Sequence, residues 1–235
     1  MKTIILAGGR GSRISEETDD KPKPMVMLNG RPIIWHLMKI YASQGFDDFL
    51  IATGYKGDVI HDWVSNDLKE NWSVTAIDTG LDTMTAGRIA KCMDLIPGER
   101  VMVSYGDGLG NINIPNLVKF HDSHSMLATV TAVRPPARFG VLESENGVVT
   151  HFGEKVQADA GWINGGFFVI ESDVRKYLLD ELDPFESTAL PDLVKEKQLG
   201  VYHHHGFWKP MDTLREKLEL DEMSRKATPP WFHIV

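Results

Sequence analysis

A single cysteine, Cys92, occurs in the 235 residues, so no intrachain disulfide can form and a reducing compartment such as the cytoplasm is the expected setting. It lies in an amphipathic stretch and reads as a small buried hydrophobe rather than a nucleophile. Long apolar runs are missing as well. None approaches the roughly 18 residues that a membrane span needs, and the first residues carry no apolar signal core, so no membrane partner is expected. Basic charge is scarce: 25 Lys and Arg stand against 33 Asp and Glu, a net charge of −8. That balance argues against a nucleic-acid partner, because such binding rests on basic patches. What is present, 42% hydrophobic and 25% charged residues, is an ordinary globular composition with enough chain for a sizeable core.

Short apolar runs alternate with amphipathic stretches through the first half. Thr3–Ala7, Phe49–Thr53, Val74–Ile77 and Val101–Tyr105 read as strands. Helices are expected over Pro32–Gln44, with proline at its start and Gly45 past its end, over Lys56–Leu68 and over Ala86–Met93. This rhythm predicts an α/β fold with a Rossmann-like, mixed but mainly parallel sheet flanked by helices. From Met126 the pattern turns strand-rich, through Leu127–Val133, Val141–Glu143, Val148–Phe152 and Gly166–Ile170. Two helices near Pro191–Gln198 and Thr213–Lys226 close the chain. Without repeats, low-complexity tracts or linkers, residues 1–235 are expected to form one domain whose halves meet near residue 125.

The run LAGGRGSR, Leu6–Arg13, follows the first strand, and KPKPM, Lys21–Met25, follows it closely. Glycines let backbone N–H groups approach a ligand, and Arg13, Lys21 and Lys23 add positive charge suited to phosphate oxygens. The carboxyl end of a strand is where ligands gather in open α/β sheets. No lysine follows the glycines at P-loop spacing, and Ile14 stands where a dinucleotide fingerprint needs its third glycine. The loop therefore reads as a phosphate cradle of another kind, or, for Gly8–Gly11 alone, as a turn before a helix.

Asp107 sits between glycines directly after the strand Val101–Tyr105, where it is either a turn residue or one of the one or two carboxylates that hold Mg²⁺ beside substrate phosphates. Asp212, in FWKPMDT, is either a helix N-cap or the second such carboxylate. Glu154 and Lys155 follow a strand and suit a sugar phosphate, or are a solvated charge pair. In INGGFFV, Gly165–Gly166 allow close backbone approach or a bulge. His203–His205 on a strand would alternate faces, which disfavours a shared metal ion.

Taken together, LAGGRGSR with SEET, KPKPM, GYKG (Gly54–Gly57), DTG…TAGR (Asp78–Arg88) and YGDG resemble the sugar-1-phosphate nucleotidylyltransferases. RPPARFG (Arg134–Gly140), INGGFFV and FWKPMDT narrow the likeness to the branch that pairs CTP with glucose 1-phosphate. The resemblance runs from Met1 to about Trp231 and implies a GT-A-like nucleotidyltransferase fold with a β-rich sugar-binding portion. It implies a triphosphate site of Leu6, Ala7, Gly8, Gly9, Gly11, Ser12 and Arg13, with Lys23 as catalytic lysine assisted by Arg13. Thr85, Gly87 and Arg88 would shape the base and ribose pocket. Gly140, Glu154, Lys155 and Asn164 would hold the sugar phosphate, and Asp107 and Asp212 would hold Mg²⁺. A homo-oligomer is expected. UTP or dTTP as donor, another phosphorylated acceptor, or a non-catalytic nucleotide-sugar sensor are the alternatives. The chain departs from the family at Arg10, Ala86 and Val156 and is shorter than typical members between Gly57 and Asp78.

Overall fold

In the computed structural model, residues 1–135, 141–145, 148–153 and 161–234 are described. Strand β1 (Lys2–Leu6) leads through the glycine loop to the short helix α1 (Ser15–Thr18). Two-residue strands β2 (Met27–Leu28) and β3 (Arg31–Pro32) form a hairpin ahead of α2 (Ile33–Ala42). Next come β4 (Asp48–Thr53), α3 (Gly57–Asp62), β5 (Ser73–Asp78), α4 (Thr85–Asp94), β6 (Val101–Tyr105) and β7 (Gly108–Gly110). The second half holds α5 (Ile114–Asp122), β8 (Ala128–Val133), β9 (Val141–Glu145), β10 (Val148–Gly153), β11 (Ile163–Asn164) and β12 (Phe168–Ile170). Helix α6 (Ala189–Lys195), β13 (Leu199–His204), β14 (Trp208–Pro210) and α7 (Leu214–Ser224) complete it.

Eight strands build the main sheet, in which β5, β4, β1 and β6 run parallel side by side. Strand β12 lies antiparallel between β6 and β8, β11 continues antiparallel along β8, and β13 closes the far edge parallel to β8. The mixed, mainly parallel sheet expected from the alternation is therefore present. Because side chains alternate along a strand, Ile4 and Leu6 enter one core while Ile5 enters the other. On one face α2, α3, α5 and α7 bury Leu37, Tyr41, Ile60, Leu117 and Leu220. On the other, α4 and α6 bury Ile89, Cys92 and Leu193. Burial pushes the Cys92 thiol up to about 12, as suits an unreactive core group.

Several elements differ from the sequence reading. Lys56–Leu68 is not one α-helix: α3 stops at Asp62 and continues as a π-type turn over Trp63–Asp67. Helix α5, capped by Asn113 accepting from the Asn116 N–H at 3.0 Å, was not foreseen, and of β13 only the stretch at His203–His205 was expected as strand. The expected strand Gly166–Ile170 is shorter, Phe168–Ile170, because Gly166 and Phe167 turn the chain with positive φ. Among the described residues no helix is long and apolar enough to cross a membrane.

His36, on α2, donates from Nε2 to the Leu28 carbonyl at 3.1 Å and stacks at right angles to Trp231. Burial lowers its pKa to about 4 from the ordinary 6.5, with Arg31 adding to the effect and the Leu28 bond opposing it. As pH falls below 6.5 the unfolded chain takes up this proton first. Stability should therefore decline between pH 6.5 and about 4, by up to roughly 3 kcal/mol. Urea unfolding at pH 7 and 4.5 checks this, and the decline should shrink in His36→Gln.

Candidate active site

The glycine loop leaves the carboxyl end of β1 and lies over a cleft of about 460 Å³. Its walls are Leu6–Arg13, Lys23 and Pro24, Leu81–Thr85 with Arg88, and Tyr105–Asp107. Gly11 takes φ +62° at the start of a single 3-10 turn, and a Cβ there would stand 3.0 Å from the Lys23 Cβ. The loop backbone can thus lie directly against the lysine segment, which no β-branched residue would permit. The Gly8 carbonyl accepts from Tyr55 N at 3.2 Å and from Arg88 Nη2 at 3.1 Å. Lys56 bonds the carbonyls of Thr18 and Asp19 and ties down the far end of the same segment.

Four charged groups meet beside the cleft. Lys23 Nζ lies 2.6 Å from Asp107 Oδ2 and 2.7 Å from Asp212 Oδ1, and Arg13 Nη1 lies 2.9 Å from Asp212 Oδ2. The aspartates are far apart in sequence, and a small ribbon brings them together. Strands β7 and β14 pair antiparallel from Gly108–Pro210 to Gly110–Trp208, and Met211 N donates to the Asp107 carbonyl at 2.9 Å. The capping box of α7 then fixes Asp212: Glu216 Oε2 accepts from Asp212 N and Thr213 N at 2.9 and 3.0 Å. Asp212 therefore lies just ahead of the N-cap, and the capping residue is Thr213. Lys23 is buried. Burial is the largest single influence on its pKa and lowers it, but the charges and hydrogen bonds of Asp107 and Asp212 outweigh this and hold it raised. The ammonium is thus fixed as a cation between two carboxylates.

Other candidates take different places. Arg88 is only 4% exposed and donates to the carbonyls of Thr53, Gly8 and Leu81 and to Thr79 Oγ1, at 2.7, 3.1, 3.4 and 2.5 Å. It ties the glycine loop to the ends of β4 and β5. Gly87 is not among the cleft walls: a Cβ there would meet Glu181 Cα at 2.5 Å, so this glycine serves close packing of α4. Thr85 does face the cleft, and Asn164 donates to the Tyr105 hydroxyl at 3.0 Å. Gly140, Glu154 and Lys155 lie outside the described residues. Lys21 turns to Asp20 at 2.9 Å, and Arg10 reaches Asp82 at 3.5 Å across the cleft mouth. His204 is buried on Asn111, whereas His203 and His205 flank Trp162, so the alternation expected of a strand is present. Tyr105 and Glu186 were missed. Tyr105 was legible as the last residue of a strand opening on the cleft, but no motif marks Glu186.

A nucleotidyl transferase family model matches residues 2–216. The chain belongs to that family. This nucleotidyl transferase is 41% identical over 252 aligned positions to a probable glucose-1-phosphate cytidylyltransferase of Bacillus subtilis, covering 98% of this chain and 99% of the relative. It is 40% identical to the glucose-1-phosphate cytidylyltransferase of Salmonella typhi, with 98% of each chain covered. The fold is that of solved family structures: a putative glucose-1-phosphate thymidylyltransferase from Bacillus anthracis superposes with TM-score 0.75, 24% identity and coverage of 97% and 96%.

Proposed function

We propose that this nucleotidyl transferase joins CTP to glucose 1-phosphate, giving CDP-glucose and pyrophosphate. The observation that carries the reading is the Lys23 ammonium held between Asp107 and Asp212 beneath the glycine loop. The substrates are those named for relatives 40–41% identical over almost the whole chain. A sugar-phosphate oxygen attacks the α-phosphorus, a new P–O bond forms, and the bond to the β-phosphate oxygen breaks with pyrophosphate as leaving group. No general base is required, since a phosphate monoester is largely dianionic near pH 7. Catalysis then consists of positioning and charge stabilisation. Residues Gly8–Arg13 offer backbone donors and the Arg13 guanidinium to the triphosphate. Lys23 offsets negative charge gathering on the departing phosphates. Lys155 and Glu154 are assigned to the incoming sugar phosphate, and the two halves of the chain work as one domain.

Asp107 and Asp212 fit a divalent metal, because both carboxylates already converge on a single cation and present only oxygen. Mg²⁺ there would polarise the phosphoryl oxygens and neutralise their charge. Among the described residues no group of three or more His, Cys, Asp or Glu could hold a metal, so substrate phosphates would complete its coordination. The cytoplasm is the proposed setting. The test is pyrophosphate release with CTP, UTP, dTTP or ATP and glucose 1-phosphate. Release should be greatest with CTP, cease on adding EDTA and return with Mg²⁺. Release favouring another nucleotide would overturn the base assignment, and none with any nucleotide would point to a sensor.

A further inference from the structure

We propose that Glu186 is a two-sided positioning residue, one carboxylate oxygen fixing the nucleotide wall and the other fixing the acceptor edge; this rests on the two-substrate reading above. Glu186 lies in the loop before α6 and is not a cleft wall itself. Its Oε2 accepts from Thr85 Oγ1 at 2.7 Å, and its Oε1 accepts from the Tyr105 hydroxyl at 2.7 Å. Thr85 and Tyr105 both face the cleft, the first at the start of α4 and the second two residues before Asp107.

Each hydroxyl has only one way to point. Thr85 Oγ1 already accepts from Phe185 N at 2.7 Å, so its proton goes to Glu186. The Tyr105 oxygen accepts from Asn164 Nδ2 at 3.0 Å, so its proton goes to Glu186 as well. Asn164 Oδ1 in turn accepts from Gly166 N at 2.9 Å, which fixes the amide with one N–H left for a ligand. The donors therefore converge on Glu186, from Thr85 on one side and from Asn164 through Tyr105 on the other. Burial, then the Glu186 charge, raises the Tyr105 pKa well above its usual value, which keeps the phenol a donor. Among the described residues no lysine or arginine pairs with Glu186, and both of its oxygens are instead met by oriented hydroxyls. Two oriented hydroxyls in place of a cation mark a group that orients side chains.

Steady-state kinetics of the full chain test this. Glu186→Ala should raise the KM for the nucleotide and for the sugar phosphate roughly five- to tenfold each, since each relinquished hydrogen bond is worth about one such step. Turnover and thermal stability should change little. Thr85→Val should raise only the nucleotide KM and Tyr105→Phe only the sugar-phosphate KM. Neither should add to its effect once Glu186 is alanine. Glu186→Gln, which keeps a single acceptor oxygen, should raise one KM and spare the other. Both KM values within twofold of wild type in Glu186→Ala, or full additivity in the double variants, would overturn the proposal. Should the wild type show no turnover, the two-substrate reading fails instead. The same comparisons are then read as Kd values for CTP and for glucose 1-phosphate by calorimetry.

Discussion

Replacing Lys23 by alanine should lower turnover by about a hundred- to thousandfold, the usual cost of removing one preorganised group aimed at transition-state charge. The KM values should move far less, because the ammonium meets charge that grows only as pyrophosphate departs. The substitution also leaves Asp107 and Asp212 facing one another without the cation that now lies 2.6 and 2.7 Å from them. Lys23→Ala should therefore bind Mg²⁺ more tightly than wild type in the absence of nucleotide, which titration calorimetry reads independently of activity. Near-normal turnover would remove Lys23 from the mechanism. Unchanged metal affinity would mean that the carboxylates relax apart.

Arg88→Met should destabilise the fold by about 3 kcal/mol, since it removes four hydrogen bonds from a charged donor, three of them buried, to the carbonyls of Thr53, Gly8 and Leu81 and to the Thr79 hydroxyl. The thioether fills part of the volume but donates nothing. Freed from Arg88, the Gly8 carbonyl keeps only its bond from Tyr55, so the nucleotide KM should rise with the loss of stability. Urea unfolding and steady-state kinetics on the same preparation give both quantities. A loss below about 1 kcal/mol would show that water replaces the guanidinium at these carbonyls.

The resemblance places Arg88 in the base and ribose pocket, and the structure shows why a local reading could not say more. What an arginine does depends on which carbonyls surround it, and those of Thr53 and Gly8 arrive from other strands. Elements with strong periodicity were legible: β1, α2, β4, β5, α4 and β6 lie within a few residues of expectation because apolar spacing and caps are local signals. Helix α5 carries such signals too, in Asn113 and the Pro115 of its first turn. Strand β13 gains its place from pairing with β8, which its own residues do not announce. The loop, Lys23, Asp107 and Asp212 were legible as motifs, but the β7–β14 ribbon that unites the aspartates was not. Glu186 has no motif at all, only partners.

The meeting of Arg13 and Lys23 with Asp212 has a consequence for how the protein is made. During synthesis the parallel strands and the glycine loop emerge long before residue 212, and the β7–β14 ribbon cannot form until Trp208–Pro210 has left the ribosome. Until then Lys23 has one carboxylate rather than two, and Arg13 has no partner from the second half. Under the proposed function, a nascent or truncated chain would present the glycine loop without the assembled charge cluster of Arg13, Lys23, Asp107 and Asp212. If that cluster carries the chemistry, activity would report that α7, whose capping box fixes Asp212, has docked.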